Sequence, residues 1–245
     1  MKIWSITDVG LVRKDNQDSC GVVEMTPTGH SVCVVCDGMG GAAAGQLASR
    51  IAVDTFLTEL QKVLCSNMSP EQLREASSYA VSLANRAIYL KAQTEEALQG
   101  MGTTLVSAVT CGQTAVICNV GDSRAYRVTL DGITRITQDH SVVASMVQRG
   151  DITEEEARRH PNRNLITRAL GPDPVAECDG YITPLLPGEF LLLCTDGLID
   201  TVTDQEMLFE IIHGDQQNTC LQRLLEIAKS QGAPDNVTAV LMMQE

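Results

Sequence analysis

Short apolar segments at the beginning of the chain predict β-strands. Such segments cover residues 2–9, 20–25 and 32–36, and the last of them, Val32-Cys33-Val34-Val35-Cys36, is almost continuously apolar. Runs of this length, rich in β-branched residues, are typical of strands rather than of helices. We therefore predict that the chain opens with short strands.

Apolar residues next recur at the spacing of helices with one buried face. A first helix is predicted over residues 47–64 on this spacing. A second is predicted from Ser69 to about residue 98, because Ser69-Pro70-Glu71-Gln72 combines an N-cap serine, a proline in the first turn and a capping-box glutamine. The predicted buried side of the second helix consists of Leu73, Ala76, Ala80, Leu83, Ala84, Ala87 and Leu90.

The rest of the chain predicts a strand meander followed by shorter helices and further strands. The meander covers residues 103–111, 114–120 and 124–130, with turns at Gly112 and at Asp131-Gly132. Short helices follow at residues 142–148 and 154–159, the second capped by Thr153 together with Glu156. Strands at 177–183, 190–194 and 237–243, and helices beginning near Thr203 and Gln216, complete the order.

The order of these elements favours an α+β fold. Strand runs and helix pairs come in blocks rather than in strict alternation, which predicts stacked, mainly antiparallel sheets. No linker rich in Pro, Gly or Ser and no internal repeat divides residues 1–245. We therefore expect a single domain.

The charge of the chain argues against two classes of partner. Lys and Arg number 18 against 31 Asp and Glu, which gives a formal net charge of −13. Because nucleic acids and anionic membranes are repelled by this charge, we expect neither as a partner. The chain starts without the apolar core of a signal peptide, and no later stretch is long and apolar enough to span a bilayer. We predict a protein that is neither secreted nor membrane-spanning.

The cysteines predict reduced thiols in the cytoplasm. There are nine of them, an odd number, and they are scattered along the chain. Cys33-x-x-Cys36 could suggest zinc, but no second Cys pair or nearby His completes four ligands. In the strand predicted there, residues three apart point to opposite faces, which also disfavours shared ligation.

Aspartates lie at the ends of apolar strands at four places. Taken singly, each is typical of a turn, because Asp-Gly and Asp-Asn are common turn formers. Four such places in one chain favour a shared site, since carboxylates at strand ends of a packed sheet are held on a rigid rim. The four segments contain Asp37-Gly38, Gly121-Asp122, Asp196-Gly197 and Asp235-Asn236.

The chemistry of these candidate ligands indicates a class of metal. All the donors are oxygen atoms, and hard oxygen ligands select Mg²⁺ or Mn²⁺ over zinc or copper. One carboxylate shared by two cations creates a site that can activate water and hold a phosphoryl group. Spacing alone therefore predicts a metal-assisted hydrolase.

A series of motifs carries a resemblance to a known family. Asp8-Val9-Gly10 and Arg13-Lys14-Asp15-Asn16-Gln17-Asp18 resemble the opening R-x-x-N-x-D signature of the type 2C protein phosphatases, metal-dependent enzymes that act on phosphoserine and phosphothreonine. The later motifs follow in that family's order: Asp37-Gly38-Met39-Gly40-Gly41, Gly102-Thr103-Thr104, Gly121-Asp122-Ser123-Arg124, Asp139-His140-Ser141, His160-Pro161-x-Arg163-Asn164, Thr195-Asp196-Gly197 and Asp235-Asn236. Each motif is weak, whereas the ordered set is highly specific. The resemblance covers essentially the whole chain, is closest to the compact bacterial branch, and implies an αββα sandwich with a small flap beside the cleft.

The resemblance implies the ligands of two tightly bound Mn²⁺ or Mg²⁺ ions. Asp37 would bridge both ions, and the Gly38 carbonyl would bind the first. Asp196 and Asp235 would bind the second ion. Asp18 would reach the first ion through water.

Two further roles complete the implied site. Asp122, with Asp196, matches the family's weaker third-metal position. Arg13 resembles the phosphate-binding arginine, because a guanidinium fork can grip two phosphate oxygens, although taken alone it is typical of a surface salt bridge. A hydroxide bridging the ions would attack phosphorus in one in-line displacement, while the cations and Arg13 neutralise the phosphoryl oxygens. The implied catalytic residues are thus Arg13, Asp18 and Asp37.

The resemblance also implies a flap and a set of partners. Residues 142–171 match the flap beside the cleft in bacterial members, where it would tune substrate choice; its Glu-rich helix is also typical of a solvated face. The implied partners are phosphoserine and phosphothreonine proteins and a Ser/Thr kinase whose action is reversed. We expect a cytoplasmic monomer.

The chain departs from the family at the position of a histidine. Bacterial relatives usually carry a histidine just after the D-G-M-G-G run, and other relatives carry one directly after D-G. Here those positions are Ala42 and Met39, so the family's candidate proton donor to the leaving group is missing. His140 and His160 remain, but motif histidines are more often structural hydrogen-bonding groups.

Two competing functions stay open at this point. A catalytically weak pseudophosphatase that binds phosphoproteins is suggested by Ala42, but the intact set of Asp37, Asp196 and Asp235 argues against it. Metal-dependent hydrolysis of a small phosphoester is the second alternative, and the order of the motifs disfavours it.

Overall fold

The structure is a computed structural model that describes residues 1–24, 26–214 and 217–245. Its strands are, in chain order, β1 (Lys2–Asp8), β2 (Asp18–Val23), β3 (Val32–Met39), β4 (Gly102–Thr103), β5 (Leu105–Cys111), β6 (Thr114–Val120), β7 (Arg124–Thr129), β8 (Gly132–Arg135), β9 (Asp179–Pro184), β10 (Phe190–Cys194) and β11 (Val237–Met243). Its helices are α1 (Ala42–Val63), α2 (Pro70–Ala92), α3 (Val142–Arg149), α4 (Glu154–Arg158), α5 (Asp196–Ile199), α6 (Asp204–His213) and α7 (Gln217–Ser230), with a 3-10 turn at Glu96–Leu98.

The described strands form two antiparallel sheets. One sheet has the order β2-β3-β5-β6-β9, with the short β4 paired to β3. The other has the order β1-β11-β10-β7-β8. Consecutive strands such as β5 and β6 pair through short turns, whereas β1 and β11 bring the two ends of the chain together.

The sheets stack face to face, and helices cover the outer face of each. Cys33 and Val35 of β3 lie in the core between the sheets, whereas Val34 and Cys36 lie in the core beneath α1 and α2. Because successive side chains of a strand point to opposite faces, β3 is apolar at every one of these positions. A third core lies between the other sheet and α5, α6 and α7. This αββα arrangement confirms the predicted fold class.

Elements with a strong local signal have the predicted bounds. The strands predicted at residues 114–120, 190–194 and 237–243 coincide with β6, β10 and β11. Both predicted capping boxes are present: the side chains of Ser69 and Thr153 accept from the backbone of Gln72 and Glu156, which in turn accept from the caps.

Two predictions for the second long helix are wrong. α2 ends at Ala92 rather than near residue 98. Just beyond this end, Thr94 Oγ1 donates a hydrogen bond to the Lys91 carbonyl at 2.7 Å, which competes with continuation of the helix. Leu90, predicted on the buried side, is 53% exposed. The buried stripe runs through Ala84 and Ile88, and a position two residues beyond Ile88 points away from that stripe.

The sequence pattern missed β8 and the first turn of α1. β8 carries one large apolar side chain, Ile133, and is defined by its pairing with β7 rather than by alternation. α1 begins at Ala42, before the first large apolar residue at Leu47, because small residues there suffice to pack against β3. The predicted strand end at Met25 and the predicted helix start near Gln216 lie outside the described residues.

Two observations bear on the chain's environment. In the described ranges no helix has the length and apolar character needed to cross a membrane. The nine cysteines are all free thiols. Cys33 and Cys36 lie in different cores, which agrees with the expectation that they share no metal.

Candidate active site

Strand pairing brings the predicted aspartates to one rim of the stacked sheets. Asp18 begins β2 directly opposite Asp37 of β3. In the other sheet, Asp196 follows β10 and Asp235 precedes β11, and these two strands are paired. Asp122 lies in the turn between β6 and β7. After burial, which is the largest cause, the negative charges of the other four aspartates all raise the pKa of Asp37. The five carboxylates predicted separately therefore lie close enough to interact.

The backbone of Asp37 is held by two threonines. The Asp37 amide donates to Thr104 Oγ1 at 2.9 Å, and the Thr104 amide donates back to the Asp37 carbonyl at 2.9 Å. Thr103 Oγ1 donates to the same carbonyl at 2.8 Å. Ser123 Oγ lies 2.7 Å from Thr104 Oγ1, which links this clamp to the turn that carries Asp122. The clamp fixes the end of β3 on the rim.

Asp18 is tied to the opposite sheet. Thr195 Oγ1 donates to Asp18 Oδ2 at 2.9 Å and accepts from the Thr238 amide at 3.1 Å. Burial raises the pKa of Asp18 to about 7, against the lowering effect of hydrogen bonds from Thr238 and Thr195. Asp18 therefore joins β2 of one sheet to β10 and β11 of the other at the rim.

Burial and mutual repulsion also raise the pKa of Asp37, Asp122 and Asp196. Burial, and then the charge of Asp196, holds the pKa of Asp37 well above its usual range. The same two causes raise the pKa of Asp122 to about 8. Burial, and then the charge of Asp235, raises the pKa of Asp196 to about 6. Buried negative charges in this number favour a positively charged ligand.

The donor set fits divalent cations. Asp196 Oδ1 is buried and has no hydrogen-bond partner, and a buried carboxylate oxygen without a partner is costly unless a cation binds it. Within the described ranges, no three His, Cys, Asp or Glu side chains already surround a single point as ligands of an ion do. Cation binding therefore requires the carboxylates to close by side-chain rotation, or to be supplemented by backbone oxygens and water.

Gly38 lies where no side chain fits. A Cβ on Gly38 would stand 2.0 Å from the Gly45 carbonyl oxygen and 2.6 Å from that of Gln17. The Gly38 amide donates to the same Gln17 carbonyl at 3.2 Å. Glycine at this position lets the end of β3 approach α1 and the backbone before β2, and so positions Asp37 beside Asp18.

Arg13 lies beside the carboxylates on an exposed loop. Its Nη2 donates to Asp235 Oδ2 at 2.7 Å, and about half of the side chain is exposed. The pKa of Arg13 is raised by the hydrogen bond to Asp235, and further by the charges of Asp37 and Asp196. The structure thus brings the predicted phosphate-binding arginine to the rim, where it is paired with one of the predicted ligands.

A cavity of about 650 Å³ adjoins the rim between the sheets and the segment of residues 142–171. Asp122 and Asp196 line it from the rim. Val143, Val147 and Arg163 line it from the other segment. That segment joins the core through backbone hydrogen bonds, including one from the Leu170 amide to the Thr103 carbonyl at 2.9 Å.

The two motif histidines make structural hydrogen bonds. His140 is 7% exposed, its Nδ1 accepts from the Gly121 amide at 3.1 Å, and its Nε2 faces Asp179 at 3.2 Å. It therefore braces the turn that carries Asp122. His160 Nδ1 accepts from the Asn162 amide at 3.1 Å within the 142–171 segment. The side chain of Ala42 lies outside what the structure describes.

Sequence reasoning assigned no role to several residues that shape this site. The quoted motifs contain Thr104, Thr195 and Asn236. Their hydrogen-bond partners, which lie far away in the sequence, are visible only in the folded structure. Threonine and asparagine next to aspartate are common turn residues, so their types alone gave no signal of cross-sheet hydrogen bonding.

Comparison with known proteins agrees with this geometry. The family pattern described as protein phosphatase 2C matches residues 12–241. The serine/threonine phosphatase stp of Listeria innocua is 36% identical over 96% of this chain and 93% of its own length. The protein phosphatase PhpP of Streptococcus pneumoniae is 31% identical over 99% of this chain and 97% of its own length.

Solved structures give the same result for the fold. The serine/threonine phosphatase Stp1 from Staphylococcus aureus superposes with a TM-score of 0.92 at 34% identity, covering 100% of this chain and 95% of that one. The catalytic domain of the phosphatase PstP in complex with two manganese ions superposes with a TM-score of 0.84 at 34% identity, covering 98% and 96%.

Proposed function

This chain belongs to the protein phosphatase 2C family, and from that premise we propose that it hydrolyses phosphoserine and phosphothreonine in proteins with two divalent cations. The observation that carries the proposal is that Asp18, Asp37 and Asp196, whose pKa values are raised, lie together at the rim beside Arg13. A relative of similar fold is a serine/threonine phosphatase that binds two manganese ions.

The cations would be held by this chain's rim residues. We assign Asp37 as the shared ligand, the Gly38 carbonyl to the first ion, and Asp196 and Asp235 to the second. Asp18 would act on the first ion through water. Asp196 Oδ1 is buried without a hydrogen-bond partner, so a bound cation would stabilise this atom directly. When bound, Mn²⁺ or Mg²⁺ ions would supply Lewis-acid charge and would activate water for attack on phosphorus.

A third and weaker cation would involve Asp122. Its turn is braced by His140 and linked to Asp37 through Ser123 and Thr104. Asp122 lies in the turn between β6 and β7, outside the strand pairs that bring Asp18 beside Asp37 and Asp196 near Asp235, so its contribution to the two principal ions is expected to be small.

Arg13 would bind the phosphoryl group of the substrate. In the structure its guanidinium is paired with Asp235, and this pair is half-exposed, so exchange of partners costs little. With Asp235 serving as a cation ligand, the guanidinium of Arg13 would be free to bind two phosphoryl oxygens of the substrate. Arg13 would then orient phosphorus for in-line attack and offset the charge of the equatorial oxygens.

Residues 142–171 would form a flap that contributes to substrate choice. They make one wall of the 650 Å³ cavity next to the rim, which is large enough for side chains flanking the phosphorylated residue. We propose that residues 1–245 act as one catalytic domain and that the enzyme reverses the action of a Ser/Thr kinase.

The proposal is tested by phosphate release from a phosphothreonine peptide in Mn²⁺ and in EDTA. Release that requires the cation supports it. No release under any cation condition, with the peptide bound, would instead support the pseudophosphatase alternative. Hydrolysis of small phosphoesters without hydrolysis of phosphopeptides would support the alternative of a small-phosphoester hydrolase.

A further inference from the structure

Arg13 lies in the middle of a loop whose tip buries little apolar surface. The loop of residues 9–17 leaves β1 and returns at β2. Leu11 is 60% exposed and Val12 is 67% exposed, so the tip of the loop is not anchored by apolar burial. The Leu11 amide donates to the Ala233 carbonyl at 3.0 Å, and Arg13 itself is paired with Asp235. The orientation of Arg13 is therefore set by these polar contacts together with hydrogen bonds made at the base of the loop.

One buried side chain, Asn236, binds both ends of this loop. Its Nδ2 donates to the Val9 carbonyl at 3.0 Å and to the Asp15 carbonyl at 3.1 Å. Its Oδ1 accepts from the Gln17 amide at 2.9 Å. Asn236 is 4% exposed, and its amide group thus uses both donors and one acceptor to close the loop on either side of Arg13.

Asn236 also reaches the carboxylate that Arg13 binds. Its backbone amide donates to Asp235 Oδ1 at 2.9 Å, while Arg13 Nη2 donates to Asp235 Oδ2 at 2.7 Å. Both oxygens of Asp235 are therefore engaged, one by the residue that closes the loop and one by the residue that the loop carries.

We infer that Asn236 is a positioning residue for phosphate recognition, acting through Arg13. The inference rests on the proposed function of Arg13. A closed loop holds the guanidinium near the rim before substrate arrives, so less conformational entropy is lost when the phosphate is gripped. Without Asn236 the loop keeps its fold at β1 and β2, but Arg13 samples many positions.

Two substitutions separate this role from simple stabilisation. Asn236→Asp keeps the shape of the side chain and the acceptor for Gln17 but loses both donated hydrogen bonds. Asn236→Ser shortens the side chain, so that it no longer reaches Val9, Asp15 or Gln17, and adds no charge. Asn85→Asp is the matched control, because Asn85 is also buried and bridges a loop, accepting from the Gly171 amide at 2.7 Å and donating to the Asp173 carbonyl at 3.1 Å.

The first measurement is independent of activity. Hydrogen exchange of the amides in residues 9–17 should accelerate by about tenfold or more in both Asn236 variants, since each variant loses at least two of the hydrogen bonds that oppose local opening of the loop. Exchange there should be unchanged in Asn85→Asp. Unchanged exchange in both Asn236 variants overturns the inference, even if the protein proves to have no phosphatase activity.

The second measurement is a double-mutant cycle in which calorimetry measures the binding of inorganic phosphate to the Mn²⁺-loaded protein. Asn236→Ser should weaken phosphate binding about tenfold in the parent protein and leave it unchanged in an Arg13→Ala background. Equal weakening in both backgrounds, or weaker binding of Mn²⁺ with intact phosphate affinity, shows that Asn236 acts on Asp235 and not through Arg13. A phosphate effect in Asn85→Asp equal to that of Asn236→Ser likewise overturns the inference.

Discussion

Arg13 Nη2 and Asp235 Oδ2 lie 2.7 Å apart although 222 positions separate the two residues in the chain. One is the proposed phosphate-binding group and the other a proposed ligand of the second cation. A carboxylate oxygen that binds a cation is no longer a good acceptor for a guanidinium, so cation binding and release of Arg13 are expected to be coupled.

This pair leads to a prediction for Arg13→Ala. The variant should show a KM for phosphopeptides raised about tenfold or more, because a bidentate charged contact to the substrate is lost. Its affinity for Mn²⁺ should be unchanged or higher, since the competitor for Asp235 is removed. Arg13→Lys should recover only part of the loss, because an ammonium cannot form the bidentate fork. Steady-state kinetics and calorimetry check both expectations; unaltered kinetics in the two variants would make Arg13 an ordinary surface ion pair.

Asp37 should be the carboxylate most sensitive to substitution. Asp37→Ala removes the proposed shared ligand and should lower kcat by at least about 10³-fold, roughly 4 kcal/mol of transition-state stabilisation. Asp122→Ala, the matched substitution at the proposed third position, should lower it much less. Rates measured across a Mn²⁺ titration provide the comparison. Full turnover in EDTA, or by the Asp37→Ala protein, is incompatible with a two-cation mechanism.

The cation-free protein should become less stable as the pH rises from about 4 to 8. Burial raises the pKa of Asp196 to about 6, of Asp18 to about 7 and of Asp122 to about 8, all above the value of about 3.9 in an unfolded chain. The folded state then binds more protons than the unfolded state in this window, so the free energy of unfolding falls with increasing pH.

Thermal unfolding at several pH values, in EDTA and in Mn²⁺, measures this effect. Mn²⁺ should raise Tm more at pH 8 than at pH 5, because the cation replaces protons that are no longer bound. Asp122→Asn should reduce the pH dependence in EDTA. A Tm in EDTA that is constant or rises between pH 5 and 8 would contradict the raised pKa values.

Ala42→His tests whether a proton donor is missing. Serine and threonine alkoxides leave poorly without protonation, and general acids contribute about 10²–10⁴-fold, whereas nitrophenolate leaves unaided. We predict that the natural protein hydrolyses nitrophenyl phosphate disproportionately faster than phosphothreonine peptides. The substitution should raise phosphopeptide turnover much more than nitrophenyl phosphate turnover, with a new pH dependence near the pKa of histidine. An equal effect on both substrates, or none, means that another group already donates the proton.

The elements that sequence predicted well are those whose signals are local. The apolar run of β11 and the capping boxes at Ser69 and Thr153 involve neighbours in the chain, so their physics is contained in a few residues. β8 and the exposed side of α2 at Leu90 were missed because pairing and packing partners decide them. A four-residue strand with one large apolar side chain has no detectable period of its own.

The same division holds for the candidate site. The sequence by itself determined which residues are candidate ligands, namely Asp18, Asp37, Asp196 and Asp235, because aspartates at strand ends and ordered motifs are visible along the chain. Only the tertiary structure decided that Asp18 faces Asp37 across β2 and β3, and that Asn236 closes the loop carrying Arg13. Hydrogen bonds and charge repulsion act over a few ångströms in space, and residues more than two hundred positions apart become neighbours only when β1 pairs with β11 and the two sheets stack.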